Sequence, residues 1–237
     1  MSAVCALVMF LKLLLLKILK MANQNQIPYT PGHWTIPDVQ YRGKMLTVDL
    51  LDGLLPEMTQ AKAGAYARAN PDDFTARDLP MYFAVFRALE QQRIRPGASA
   101  PVAFLRKSMR NNWLQTLTAI DYAPKGEDVV THGVGTKKPR QQKINLVEHG
   151  GRITRKDSAC LEVLLGTGDV ETVDRVFTFI NAKPTYLWTL GHKPLKVDRH
   201  VAGFNADYGW SYLGGDGNPR DVLASLGVRR VAPLGSA

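Results

Sequence analysis

The sequence predicts an α+β fold with a helical N-terminal half, a central antiparallel β-hairpin region, an αα-hairpin, and a strand- and loop-rich C-terminal tail. Three observations predict it. Apolar residues recur at helical spacing in two segments, Tyr82, Val85, Phe86, Leu89 and Val170, Val173, Val176, Phe177, Ile180. Between 116 and 149 the pattern shifts to Thr-, Ile- and Val-rich alternation with turn residues between the runs. After Asn205, Gly209, Gly214, Gly215, Gly217 and Gly227 cut the chain into short apolar pieces.

Taken in order, residues 1–20 form an apolar and cationic segment. Lys12, Lys17 and Lys20 share one arc at 100° per residue, the pattern of a helix lying on a membrane surface. A spanning helix would place Lys12 near mid-bilayer, at about 2.5–3.5 kcal/mol. The alternative is an upstream extension of a chain that starts at Met21. Residues 21–45, with Pro28, Pro31, Pro37, Gly32 and Gly43, read as an extended arm. Residues 46–237 read as a single globular α+β domain, with 150–155 as the place where it would divide.

Pro56 suits a helix start, and Glu57 to Ala69 is Ala-rich. Leu79-Pro80 opens a second helix to about Arg93. Ser99 caps a third over 101–117, with Val102, Leu105, Met109, Trp113 and Leu117 as its stripe. Strands follow at 116–123, 127–134 and 142–149. Thr154 with Asp157 resembles a capping box before a helix that Gly166 ends. Asp169 caps the next helix, and Thr185 to Leu190 is a strand.

The tail from Asn205 to Val231 carries Trp210, Gly214-Gly215, Asn218-Pro219 and Leu226-Gly227-Val228-Arg229. It resembles the close of C-type-lectin-like domains, including the sulfatase-modifying type. The resemblance covers this tail alone and carries no functional residue across.

Composition narrows the function classes. Hydrophobic residues are 45% and charged residues 22%, which excludes wholesale disorder. Two cysteines exclude a disulfide scaffold and a multi-cysteine zinc site. Without Cys5 of the leading segment, Cys160 is the lone thiol, which fits a reducing compartment and a cytoplasmic protein. Membrane association through residues 1–20 is the alternative. The net charge is +9, and it is local: residues 93–156 hold thirteen bases and four acids.

That excess makes a non-enzymatic binder of nucleic acid or another polyanion the leading function, acting mainly through phosphate contacts. Its candidate residues are Arg106, Lys107, Arg110, Lys137, Lys138, Arg140, Lys143, Arg152, Arg155 and Lys156. No cofactor or metal is expected, since the histidines form neither H-x-x-x-H nor H-E-x-x-H. Gly133-Val134-Gly135-Thr136-Lys137 lacks the full phosphate-loop pattern and reads as a hairpin turn.

Two other classes compete. One is an enzyme with a dispersed site drawing on His132, Asp128 or His149. The other is a protein-binding or membrane-associated module presenting Trp210 and Tyr212.

Overall fold

The computed structural model describes residues 26–146, 150–190 and 192–231. The segment 1–20 and His149 lie outside the described residues. The fold is mixed α+β with two sheets.

The first half departs from the helical expectation, because its opening is a β-meander. Strands β1 (Tyr29–Thr30), β2 (His33–Tyr41) and β3 (Lys44–Met58) occupy much of the expected arm and the run after it. β2 conceals its alternation. Trp34 and Ile36 are buried, the register shifts between Ile36 and Val39, and Val39 and Tyr41 are buried beyond it. Pro37 and the positive-φ Asp38 occupy this bulge, where a missing ladder donor is tolerated. Pro56 likewise sits in β3 rather than opening a helix, in a gap of the ladder between Leu55 and Met58. Thr59 is the real N-cap, and helix α1 spans Gln60–Ala69.

Helix α2 (Leu79–Gln91) starts at Asp78, whose side chain accepts from the Met81 amide. The expected stripe is present, but Leu79, Met81, Phe83, Ala84 and Ala88 are buried too. The helix packs against β2 on one side and two later helices on the other. Phe86 meets Phe204 and Phe177 edge-on, and Tyr82 meets Phe204 the same way. This aromatic cluster is the centre of the core.

Helix α3 (Ser99–Asn111) is shorter than its apolar stripe suggested. Asn112 ends it, and Leu117 belongs to β4 (Leu114–Tyr122). The hairpin strands β5 (Asp128–His132) and β6 (Arg140–Ile144) follow, the first inside the expected 127–134 and the second two residues ahead of the expected 142–149 and ending at Ile144, then β7 (Gly150–Arg152). The Thr154–Asp157 capping box forms ahead of helix α4 (Ser158–Leu165), and Gly166 closes it in the left-handed conformation. Asp169 caps helix α5 (Val170–Asn181). Strands β8 (Thr185–Trp188), β9 (Asp198–Ala206), β10 (Ser211–Gly217) and β11 (Leu223–Arg230) complete the described chain.

One sheet has the order β1-β2-β3-β11 and the other β6-β5-β4-β9-β10-β8-β7. The tail therefore serves both sheets. Among the described residues of the larger sheet, only β10 and β8 pair in parallel. Laid flat, its two edges would stand about 29 Å apart, at about 4.8 Å per strand. Yet Ile144 of one edge strand is six residues from Gly150 of the other, a reach of at most about 22 Å. The sheet must therefore curl.

The two sheets meet at Gln115 of β4. Its amide donates to the Leu223 carbonyl at 2.8 Å and also to that of Met58. The Tyr82 hydroxyl adds a bond to the Leu226 carbonyl at 2.6 Å.

A basic cleft between the sheets

The β2–β3 connection is a two-residue turn, Arg42-Gly43, closed by the Tyr41–Lys44 pair. Arg42 has φ 50° and Gly43 φ 72°. Such turns demand positive φ at both central residues, a conformation that costs an arginine about 1–2 kcal/mol. The turn is pinned to α2. Asp78 accepts from the Arg42 guanidinium at 2.7 Å and from the Tyr41 hydroxyl at 2.8 Å, while capping α2. Burial and the neighbouring Asp78 hold the Tyr41 hydroxyl well above its ordinary pKa, so it stays a donor.

Beside this turn, α1 and the β5–β6 loop touch backbone to backbone. A Cβ on Gly64 would collide with the Val134 carbonyl, and one on Gly135 would meet the Gly64 backbone. This close approach puts Arg68 of α1 on the same cleft as Lys137 and Lys138. The loop is a turn, as the sequence suggests. Its Gly133 and Val134 amides both donate to the Leu117 carbonyl, at 2.7 and 2.9 Å. Those donors are spent inside the fold, so an anion here would be met by side chains rather than a backbone cradle.

Between these elements lies a cleft of about 540 Å³. Arg42, Arg68, Arg77, Lys137, Lys138 and Arg230 line it, against the carboxylates of Asp72 and Asp78. Arg77 is the deepest cation. Its Nε donates to the Val228 carbonyl at 3.0 Å, and its Nη2 is buried with no partner. Desolvation pulls its pKa below the ordinary guanidinium value, yet a guanidinium stays charged at neutral pH. A buried donor left unsatisfied costs about 1–3 kcal/mol, more when charged. Arg68, Lys137, Lys138 and Arg230 make no ion pair among the described residues, and Arg230 lies over the Tyr41 ring at 5.6 Å.

The ten bases expected to bind polyanion do not form one surface. Lys137 and Lys138 line the cleft. Arg140 pairs across from His132 and Lys143 from Val129. Cross-strand partners share a face and alternate residues change it, so these two bases project from opposite faces of β6. Arg106 is committed to structure: it donates to the Ile180 and Phe179 carbonyls at 2.7 and 3.3 Å, at the C-terminal end of α5. Arg152 pairs with Asp174 at 3.1 Å and Arg155 with Glu171 at 4.0 Å. Lys107, Arg110 and Lys156 are exposed and do not line the cleft.

Four cleft bases, Arg42, Arg68, Arg77 and Arg230, were not among the expected residues. Three come from 21–92, which holds more acids than bases, so segment averaging concealed them. The legible signal was Arg42-Gly43 as a turn dipeptide.

Of the residues put forward for a dispersed enzyme site, His132 and Asp128 are engaged within the fold. His132 donates from Nε2 to the Val163 carbonyl at 2.9 Å, and its Nδ1 sits 2.9 Å from the Thr118 hydroxyl. That hydroxyl also accepts from the Leu79 amide. Burial pushes the His132 pKa down. Asp128 is fully buried, accepts from the Ala123 and Leu146 amides, and receives Lys193 at 2.7 and 2.8 Å. Four residue steps along β5 separate it from His132, about 13 Å. Burial pushes the Cys160 thiol up to about 12, so it stays protonated.

Trp210 and Tyr212, expected as exposed contacts, are half-buried and cluster around Tyr186, with ring centroids 5.2 and 5.4 Å away. Tyr186 stacks on Trp188, which is 44% exposed. Among the described residues no helix is long and apolar enough to cross a membrane.

Comparison with known protein families, with curated proteins and with solved structures finds no match. The reading of the cleft therefore rests on its own chemistry.

Proposed function

We propose that this protein binds nucleic acid or another phosphate-bearing polyanion without chemical conversion, and that the cleft between the two sheets is where it does so. The observation that carries the reading is Arg77. A buried guanidinium nitrogen lacks a partner in a cleft where cations outnumber carboxylates six to two. Arg77 lines the cleft, so a small movement of its guanidinium brings that nitrogen to an entering phosphate oxygen, and charge-assisted bonds of this kind are about twice as strong as neutral ones. The exposed Arg68, Lys137 and Lys138 at the rim add counterion release. Phosphate contacts carry no base code, so affinity should depend little on sequence.

The test is fluorescence anisotropy with labelled oligonucleotides of unrelated sequence across a salt series. The parent should bind at low salt with similar affinity for each. Replacing Arg68, Lys137 and Lys138 with Ala should reduce the slope of log K against log salt by about 2–3, at about 0.7–0.9 per contact. All three side chains are exposed and lack ion pairs among the described residues, so the fold should persist. Absence of parent binding at low salt would end the reading.

A further inference from the structure

A second recess of about 200 Å³ adjoins the cleft and shares Tyr41 and Arg42 with it. The α2 residue Arg87 lines it, together with Gly43, Gly166 and Thr167. Arg87 repeats the feature that marks Arg77: its Nε is buried with no partner. The neighbouring acid on the same helix does not serve it, because Glu90 is taken by Arg93 at 2.5 Å and Arg175 at 3.4 Å. The carbonyls at the nearby end of α4 are also partly occupied. Glu162 accepts from the Gly166 amide and Val163 from His132.

Two recesses thus lie on either side of the Arg42-Gly43 turn. Each has an arginine with a buried, unpartnered nitrogen. Both are bordered by Arg42.

We propose that the ligand is a single-stranded polynucleotide whose backbone crosses the Arg42-Gly43 turn, setting one phosphate toward Arg77 and another toward Arg87. The inference rests on the proposed function of the cleft and adds the second recess and the strandedness. Strandedness follows from the burial of the two unpartnered nitrogens. A rigid duplex offers its phosphates on a convex surface and cannot lower them into both recesses, whereas a flexible single strand can. Arg42 is placed to contact the backbone between the two phosphates, its charge shared with Asp78.

The test uses the full chain and a labelled twelve-residue oligothymidylate in a salt series, with a duplex of equal length as comparator. Arg87→Gln should weaken binding and reduce the salt slope by about 0.7, one single-strand contact. Its melting temperature should stay level or rise, because the replaced group is an unsatisfied buried donor; a purely structural arginine would lower it. The parent should bind the single strand more tightly than the duplex at equal salt. An unchanged slope and affinity in Arg87→Gln, with the rim variant still defective, would remove the second recess and leave the cleft standing. Tighter duplex binding would overturn the strandedness. Absence of parent binding, or an unchanged salt slope in the rim variant, would remove the underlying reading, and this inference with it. If Arg87→Gln does not fold, Thr167→Asp puts a carboxylate in the same recess and should weaken oligonucleotide binding; unchanged affinity there would overturn the proposal.

Discussion

The cleft bases and the bases around α5 carry the same charges in opposite circumstances. Beside α5, Arg152 meets Asp174, Arg155 faces Glu171, and Arg106 bonds to the last carbonyls of the helix. In the cleft, Arg68, Lys137, Lys138 and Arg230 have no acidic partner among the described residues, and Arg77 has a nitrogen with no partner at all. A base already neutralised by its own fold has little to offer a phosphate. What distinguishes a binding surface from a basic one is therefore the partner of each cation rather than their number.

The comparison can be broken at its hinge. Gly64→Ala would drive α1 away from the Val134 carbonyl. Overpacking of this kind costs about 1–3 kcal/mol, and it should displace Arg68 from Lys137 and Lys138. Thermal unfolding and oligonucleotide affinity should both suffer. Arg106→Ala, on the neutralised side, should separate the two readouts. Loss of its two bonds to α5 should lower stability by about 1–2 kcal/mol, with no change in salt slope.

A smaller effect concerns pH. Burial holds the His132 pKa below its ordinary 6.5, so the unfolded chain binds the proton more readily. Its contribution to stability is complete above about pH 6.5 and is lost progressively as pH falls toward the lowered folded value. Melting temperature should drop between pH 7 and pH 5, and His132→Gln should flatten that dependence while lowering stability at pH 7. The smallest effect is expected at Arg152. It is an exposed partner of Asp174, so Arg152→Ala should change stability by less than about 1 kcal/mol.

Much of the helical architecture was legible from local signals. Asp169, Gly166 and the Thr154–Asp157 box mark helix ends through bonds within a few residues, and the structure forms all three. The opening meander was not, because the bulge at Pro37-Asp38 shifts the burial pattern from 34 and 36 to 39 and 41. The second buried face of α2 was hidden for a different reason. Amphipathic periodicity assumes one covered side, whereas α2 is covered by β2 and by α4 and α5.

The cleft itself was half legible. Lys137 and Lys138 stand in a visible basic cluster, but Arg42, Arg77 and Arg230 reach it only through long-range pairing. The β3–β11 ladder and the Thr75–Val228 bridge bring residue 230 beside residues 42 and 77. No local pattern encodes that meeting.

Lysine footprinting distinguishes unpaired cleft bases from basic residues at large as the ones that meet the ligand. The full chain is acetylated with and without a saturating single-stranded oligonucleotide, and each lysine is read by mass spectrometry. Lys137 and Lys138 should be protected, while Lys107 and Lys156, exposed but outside the cleft, should react as in the free protein. Protection of Lys107 and Lys156 with Lys137 and Lys138 still reactive would contradict the account.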